Sequence, residues 1–204
     1  MKIRNSHEKR MPGLDVDYYM TNKEDTQEII VAAAENPMLR GLRVDIRSCG
    51  TSTMTVGNEI AILSNLQELT LHSSRMEYLS PSIGDLEFLR VLNLYHNFLT
   101  TLPDEVGNLM SLQQMHLGTN YLTTLPSTCS KLTNLIDLNL SHNKFGDDGA
   151  TKMVSMFDKH PFPKLLKLEF NKNQIEGTGC SCLASFLDRN TSLLCMNLEN
   201  NPGN

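Results

Sequence analysis

Four of the six histidines, His72, His96, His116 and His142, fall in one stretch of chain with Asn93, Tyr95, Phe98 and Tyr121. Side chains of these types can do three kinds of work. Imidazoles ligate zinc and titrate near neutrality. Histidine beside serine and aspartate can activate a nucleophile. Aromatic rings set among polar groups anchor protein–protein interfaces. The other reactive groups offer less. Cys180-x-Cys182 has no second cysteine pair to finish a metal site, and residues i and i+2 on a helix point apart. No phosphate loop, G-x-S-x-G or H-E-x-x-H occurs in the chain. The choice among the three depends on the elements that carry these residues.

Those elements are repeats. The pattern L-x-x-L-x-L-x-x-N begins at Leu66, Leu89, Leu112, Leu135, Leu165 and Leu193, at intervals of 23, 23, 23, 30 and 28 residues. A degenerate copy lies upstream in L-R-G-L-R-V-D-I-R-S-C, starting at Leu39 or two residues later; both registers bury Leu42, Val44 and Ile46. Alternating leucines mark a strand with one buried face. The ninth place is Asn97, Asn120, Asn143, Asn173 and Asn201 in five copies, and Ser74 in one. A buried amide there can bond to backbone groups that no sheet pairing satisfies. Leu99, Leu102, Leu122 and Leu125 return the chain beneath the strand. Cys129 also takes a core position, as an inert small hydrophobe. One such unit cannot bury its own apolar edge, but a stack can.

These motifs resemble the leucine-rich repeat family over roughly residues 39–201. The middle copies carry L-P-x-x-[IV]-G-x-L at Leu102-Pro103, Val106-Gly107 and Leu109, and Pro81, Ile83, Gly84 and Leu86 match it. Cys129-Ser130 replaces the Ile/Val-Gly pair in the next copy. That pattern is similar to the intracellular Ras-group repeats, whose backs are 3₁₀ or irregular. The longer last copies resemble the ribonuclease-inhibitor type, with helices at Asp147–His160 and Gly177–Asn190. Their apolar stripes are Ala150, Met153, Val154 and Phe157, then Cys182, Leu183, Phe186 and Leu187. The expected fold is therefore an α/β leucine-rich repeat solenoid of about seven repeats, with a concave parallel β-sheet and a helical or 3₁₀ convex side.

Three segments follow. Residues 1–20 are expected as a flexible lead-in. Residues 21–38 are expected as an N-terminal helical cap, with a helix over about Asn22–Glu35 opened by the Thr21/Glu24 capping box and closed before Pro37. Residues 39–204 form the repeat domain. Its final edge is either turned over by Asn201-Pro202-Gly203 or continued in a longer protein.

The resemblance implies that the variable residues of each strand line a binding face. Tyr95, alternating with Leu92 and Leu94, is expected to point straight out of it. Phe98 and Tyr121 stand one place beyond the asparagine, as binding anchors or as a rim pair packed on each other. A flat open sheet excludes water poorly, which disfavours catalysis. A net charge of −5 gives no bulk attraction for nucleic acid. No apolar run approaches the roughly 18 residues of a membrane helix, and the basic N-terminus lacks the apolar core of a signal peptide. The five scattered cysteines argue against a disulfide framework and for a reducing, cytoplasmic location. Asn139-Leu-Ser141 and Asn190-Thr-Ser192 match the glycosylation triplet, without a secretion signal to support them.

The expectation is a non-catalytic scaffold, adaptor or regulatory subunit that needs no cofactor. It binds a protein through Tyr95, His96, Phe98, His116, Tyr121, His72, Asn93 and His142. The Ras-group likeness implies a small GTPase, kinase or phosphatase as partner. The alternatives are a structural subunit that self-associates through the C-terminal edge, and an enzyme or sensor with a histidine-lined metal site.

Overall fold

The computed structural model describes residues 15–19, 30–31, 33–35, 38–45, 56–73, 75–159 and 162–203. Eight strands among them form one all-parallel sheet in sequence order. They are β1 (Asp15–Tyr19), β2 (Gly41–Asp45), β3 (Glu68–His72), β4 (Val91–Asn93), β5 (Gln114–His116), β6 (Asp137–Asn139), β7 (Lys167–Glu169) and β8 (Cys195–Asn197). Each strand pairs with the next one along, so the chain winds as a solenoid. Leucines at the first, fourth and sixth places of the repeats point inward and are 0 % exposed in the copies that begin at Leu89 and Leu135. They form one continuous core.

Leu42 pairs with Leu69, which selects the register that starts at Leu39. β1 is a correction. Asp15–Tyr19 lies in the stretch assigned to a flexible lead-in, yet it pairs in parallel with β2, Val16 opposite Leu42 and Tyr18 opposite Val44. D-V-D-Y-Y alternates as a strand should, but it carries no leucine consensus. Ile30, Val31, Ala33 and Ala34 are helical, and Ile30 and Ala33 are buried in the core. Because β1 precedes them, this helical turn lies inside a β–helix–β unit instead of capping an exposed edge. The Thr21/Glu24 capping box and Pro37 lie outside the described residues.

The convex side changes character along the stack. Among the described residues, four 3₁₀ helices precede the α-helices on this side: η1 (Asn58–Ile62) in the copy that begins at Leu39, and η2 (Pro81–Asp85), η3 (Asp104–Asn108) and η4 (Ser127–Lys131) in the 23-residue copies. The proline that leads η2, η3 and η4 fixes an extended-to-helical turn without an N–H to satisfy. Gly84 and Gly107 follow from close approach. A Cβ on Gly84 would sit 2.6 Å from Glu105 O, and one on Gly107 2.4 Å from Thr128 O. Successive 3₁₀ segments thus pack backbone to backbone at these glycines.

The longer repeats carry α1 (Gly146–Lys159) and α2 (Gly177–Leu187). All four residues of the expected α1 stripe are buried. In α2 the buried residues are Gly179, Leu183 and Phe186, while Leu187 is exposed and Cys182 half-buried. The stripe is rotated because Gly179 approaches Ile175 and Asp147 closely. Asp147 in the first turn of α1 links the two helices. Its Oδ1 accepts from Glu176 N at 2.6 Å and its Oδ2 accepts from Thr178 Oγ1. The Thr178 hydroxyl first, and then the Glu176 amide, hold this carboxyl below the usual aspartate value. It gives the N-terminus of α2 a negative partner from the preceding repeat.

The ninth-place asparagines form the expected ladder. Asn120 Nδ2 donates to Leu94 O at 3.0 Å and Leu117 O at 2.9 Å, and its Oδ1 accepts from Leu99 N at 3.0 Å. Asn97 and Asn143 repeat the scheme. Asn173 departs from it. Its Nδ2 donates to Leu140 O at 2.9 Å, but its buried Oδ1 has no partner. Gly146 N donates instead to the Asn173 carbonyl, where the chain leaves the short-repeat path to begin α1. Ser74 lies outside the described residues.

Candidate interaction surface

The variable residues separate into three groups. The first lies on the concave sheet. The ring of Tyr95 stacks on His72 with centroids 5.6 Å apart and 4° between planes. His96 meets both edge-on, at 6.0 Å from His72 and 6.3 Å from Tyr95. Tyr95 is not straight out of the sheet. Its Cε2 lies 2.8 Å from where a Cβ on Gly118 would stand, as does Ser141 Oγ. The ring therefore leans across the neighbouring repeat, and glycine at 118 is what admits it. Asn93 supports this group from below: its Oδ1 accepts from Tyr95 N at 3.0 Å and fixes the turn after β4.

The backbone explains where the histidines stand. Ser73, His96, Thr119, His142, Lys172 and Asn200 all occupy the eighth place of their repeats, and all have φ between 53° and 59°. This left-handed turn ends each strand and swings the asparagine inward. His96 and His142 thus sit on turns at the strand ends, exposed, while His72 and His116 belong to strands. His142 has Lys172 at the same place in the next repeat. Partial desolvation first, and the Lys172 charge second, lower its pKa below the usual imidazole value.

The second group is the rim. Phe98 and Tyr121 touch, with centroids 6.0 Å apart at 56°. Lys144, at the same place in the next copy, lays its ammonium 4.5 Å from the Tyr121 ring centroid. Tyr121 still exposes 42 % of its surface, so the rim pair keeps an open face.

The third group is polar. His116 Nε2 lies 3.8 Å from Asp137 Oδ2, Lys167 Nζ reaches the same oxygen at 3.8 Å, and Lys167 pairs with Glu169 at 3.2 Å. Glu169 first, and the Asp137 charge after it, hold Lys167 protonated above the usual lysine value against partial desolvation. Asp137 Oδ1 is buried without a hydrogen-bond partner. Asp137, Lys167 and Glu169 were legible as strand-face positions. What made them a cluster is the parallel register, which sets Asp137 against Lys167 and Asn139 against Glu169.

The eight expected residues therefore do not form one patch. His72, Tyr95 and His96 come together, with Asn93 holding the turn beneath; Phe98 and Tyr121 pair on the rim; His116 joins the charged cluster; and His142 stands apart. Among the described residues, no group of three or more His, Cys, Asp or Glu side chains is placed to hold a metal ion. Cys129 is fully buried, and burial together with the Asp104 charge pushes its thiol up to about 12. That thiol is protonated and unreactive. No helix among the described residues is long and apolar enough to cross a membrane.

At the C-terminal end, Asn201-Pro202-Gly203 turns back onto the preceding repeat, with Gly203 N 2.9 Å from Ile175 O. It does not fold over the edge of β8. Leu193, Met196 and Leu198 remain half-buried, and Leu194 is 80 % exposed.

Comparisons with known proteins agree with this geometry. The chain is similar to a leucine-rich repeat protein of Leptospira interrogans, with 25 % identity and a TM-score of 0.59 over 84 % of this chain and 46 % of that one. It shares the fold of an internalin from Listeria monocytogenes, with 18 % identity and a TM-score of 0.58 over 83 % and 50 % of the two chains. The chain thus spans about half the length of these solved structures. No curated protein matches it significantly. A family model described as a leucine-rich repeat region matches residues 25–148, and a second leucine-rich repeat model matches residues 163–184. With most of its length covered by the first of these, the chain belongs to the leucine-rich repeat family.

Proposed function

We propose that this chain is a non-catalytic protein-interaction module whose partner docks on the concave face around Tyr95, His72 and His96, with Phe98 and Tyr121 at the rim. The observation that carries the reading is the aromatic group at the centre of an otherwise polar sheet. Its rings are held by each other and by Gly118, so they lose little freedom on binding. The charged cluster around Asp137 supplies a polar border on one side. Scaffold, adaptor or regulatory roles in the cytoplasm fit such a surface, and the Ras-group likeness of the short repeats favours a small GTPase, kinase or phosphatase as partner. His116 and Asn93 contribute to binding through Asp137 and the Tyr95 turn; His142 lies outside its centre.

The test is affinity capture from native extract with the full chain, followed by titration of the captured protein. Tyr95→Ala is expected to leave the fold intact by circular dichroism and to weaken binding by about 2 kcal/mol or more. Unchanged affinity in both Tyr95→Ala and Tyr121→Ala would remove the concave face from consideration. A second reading, self-association in a larger assembly, is favoured by the half-buried Leu193, Met196 and Leu198 beside β8. A sedimentation series that stays monomeric across concentration would dismiss it.

A further inference from the structure

A groove of about 590 Å³ runs along the convex side between η4 and α1, where the backing of the stack changes from 3₁₀ to α-helix. It lies on the opposite side of the sheet from the aromatic group. Lys131 at the end of η4 lines one wall, and Lys152 and Lys159 line the other. Lys152, Met156 and Lys159 recur at i, i+4 and i+7, one stripe along the exposed side of α1. Six of the other lining residues are serine or threonine, and no acidic residue lines the groove. None of the three lysines forms an ion pair among the described residues. The acid nearest in sequence, Asp158, is bound at 3.0 Å by Arg189, in the turn just past the end of α2. Met156 is half-buried and Met153 and Leu125 close the floor.

We propose that this groove is a second binding site, distinct from the concave face, and that it takes an acidic peptide segment of a partner protein. Three cations without an ion pair among the described residues, on a chain of net charge −5, are a local inversion of sign that attracts carboxylates and repels basic sequences. Thr124 and Thr128 already donate to the carbonyls of Leu125 and Asp104, so the hydroxyls of Ser127, Ser130, Thr151 and Ser155 donate to carboxylate oxygens, and Met156 offers one apolar contact between the lysines for a leucine-sized side chain.

The test uses the full chain and a fluorescein-labelled peptide of repeated Glu-Glu-Leu, read by fluorescence anisotropy. The triple variant K131E/K152E/K159E is expected to weaken binding at least about tenfold, since three exposed attractive charges become repulsive ones. The milder triple variant K131Q/K152Q/K159Q, which removes the charges without reversing them should the reversal disturb folding, moves in the same direction. A Glu-Glu-Ser peptide binds more weakly than Glu-Glu-Leu, a Lys-Lys-Leu peptide does not bind, and rising salt weakens the complex. Tyr95→Ala leaves it unchanged, which separates this site from the concave one. Equal binding by the charge-reversed variant, loss of binding in Tyr95→Ala, or tighter binding of single-stranded DNA or phosphatidylserine vesicles than of the peptide would each overturn the proposal.

Discussion

The eighth place of each repeat shows how a single residue can serve the fold and the surface at once. Its left-handed φ costs a side chain with a Cβ of the order of 1 kcal/mol, and most for a β-branched one. Asparagine tolerates that region best after glycine, and the repeat ending at Asn201 uses it at Asn200. Thr119 is β-branched, has φ 56° and is only partly buried. Thr119→Asn is therefore expected to stabilise the protein by about 0.5–1 kcal/mol, read as a shift in urea midpoint at constant slope. No gain would mean that the threonine methyl contributes packing equal to the strain. The same logic explains what could be read from the sequence at this scale. The ninth-place amide was legible because it recurs as one letter. The eighth place was not, because histidine, threonine, lysine, serine and asparagine share a backbone conformation without sharing a chemistry. His96 and His142 looked like strand-face residues for that reason.

At the scale of the element, repeat length reports what backs the strand. Intervals of 23 leave room only for a 3₁₀ turn, and those of 28 and 30 admit a helix. The departure at Cys129-Ser130 has a physical account in the same terms. Gly84 and Gly107 each face the backbone of a following 3₁₀ segment, whereas Ser130 faces α1 across the groove, where a side chain fits. Gly107→Ala is thus expected to cost about 1–3 kcal/mol, since its Cβ would stand 2.4 Å from Thr128 O and one segment must shift. Ser130→Ala, at the equivalent place one repeat later, should change stability by about 0.5 kcal/mol or less. Urea unfolding of the two variants side by side decides it. Equal losses would mean the glycine answers to something other than the spacing between 3₁₀ segments. The rotation of the α2 stripe was not legible, because it depends on Gly179 meeting Asp147 in another repeat.

At the scale of the molecule, the regular leucines specify the middle of the stack and say little about its ends. β1 carries the period of a strand without the consensus, so it joined the sheet unannounced, and the C-terminal turn, for which an edge cover was one of two readings, folds back onto the preceding repeat. The candidate surface was legible residue by residue but not as a grouping, since parallel register decides which variable side chains meet. Cohesion also belongs to this scale. Leu117 is fully buried, and Leu94 and Leu140, at the same place in the neighbouring copies, are too. The backbone runs on through them: Leu94 N donates to His116 O and Leu117 N to Asn139 O, both at 2.8 Å. Leu117→Ala removes three carbons from a column that cannot close, because each neighbour is held by its own asparagine and strand. The expected loss is about 2–5 kcal/mol. In a stack where each repeat touches only its neighbours, that loss weakens the coupling between the two halves. Hydrogen exchange should therefore show amide protection falling in β4 and β6 as well as β5, with β7 and β8 less affected. A loss below about 1 kcal/mol, or one confined to β5, would mean that the leucine column is not the continuous core that carries stability along the solenoid.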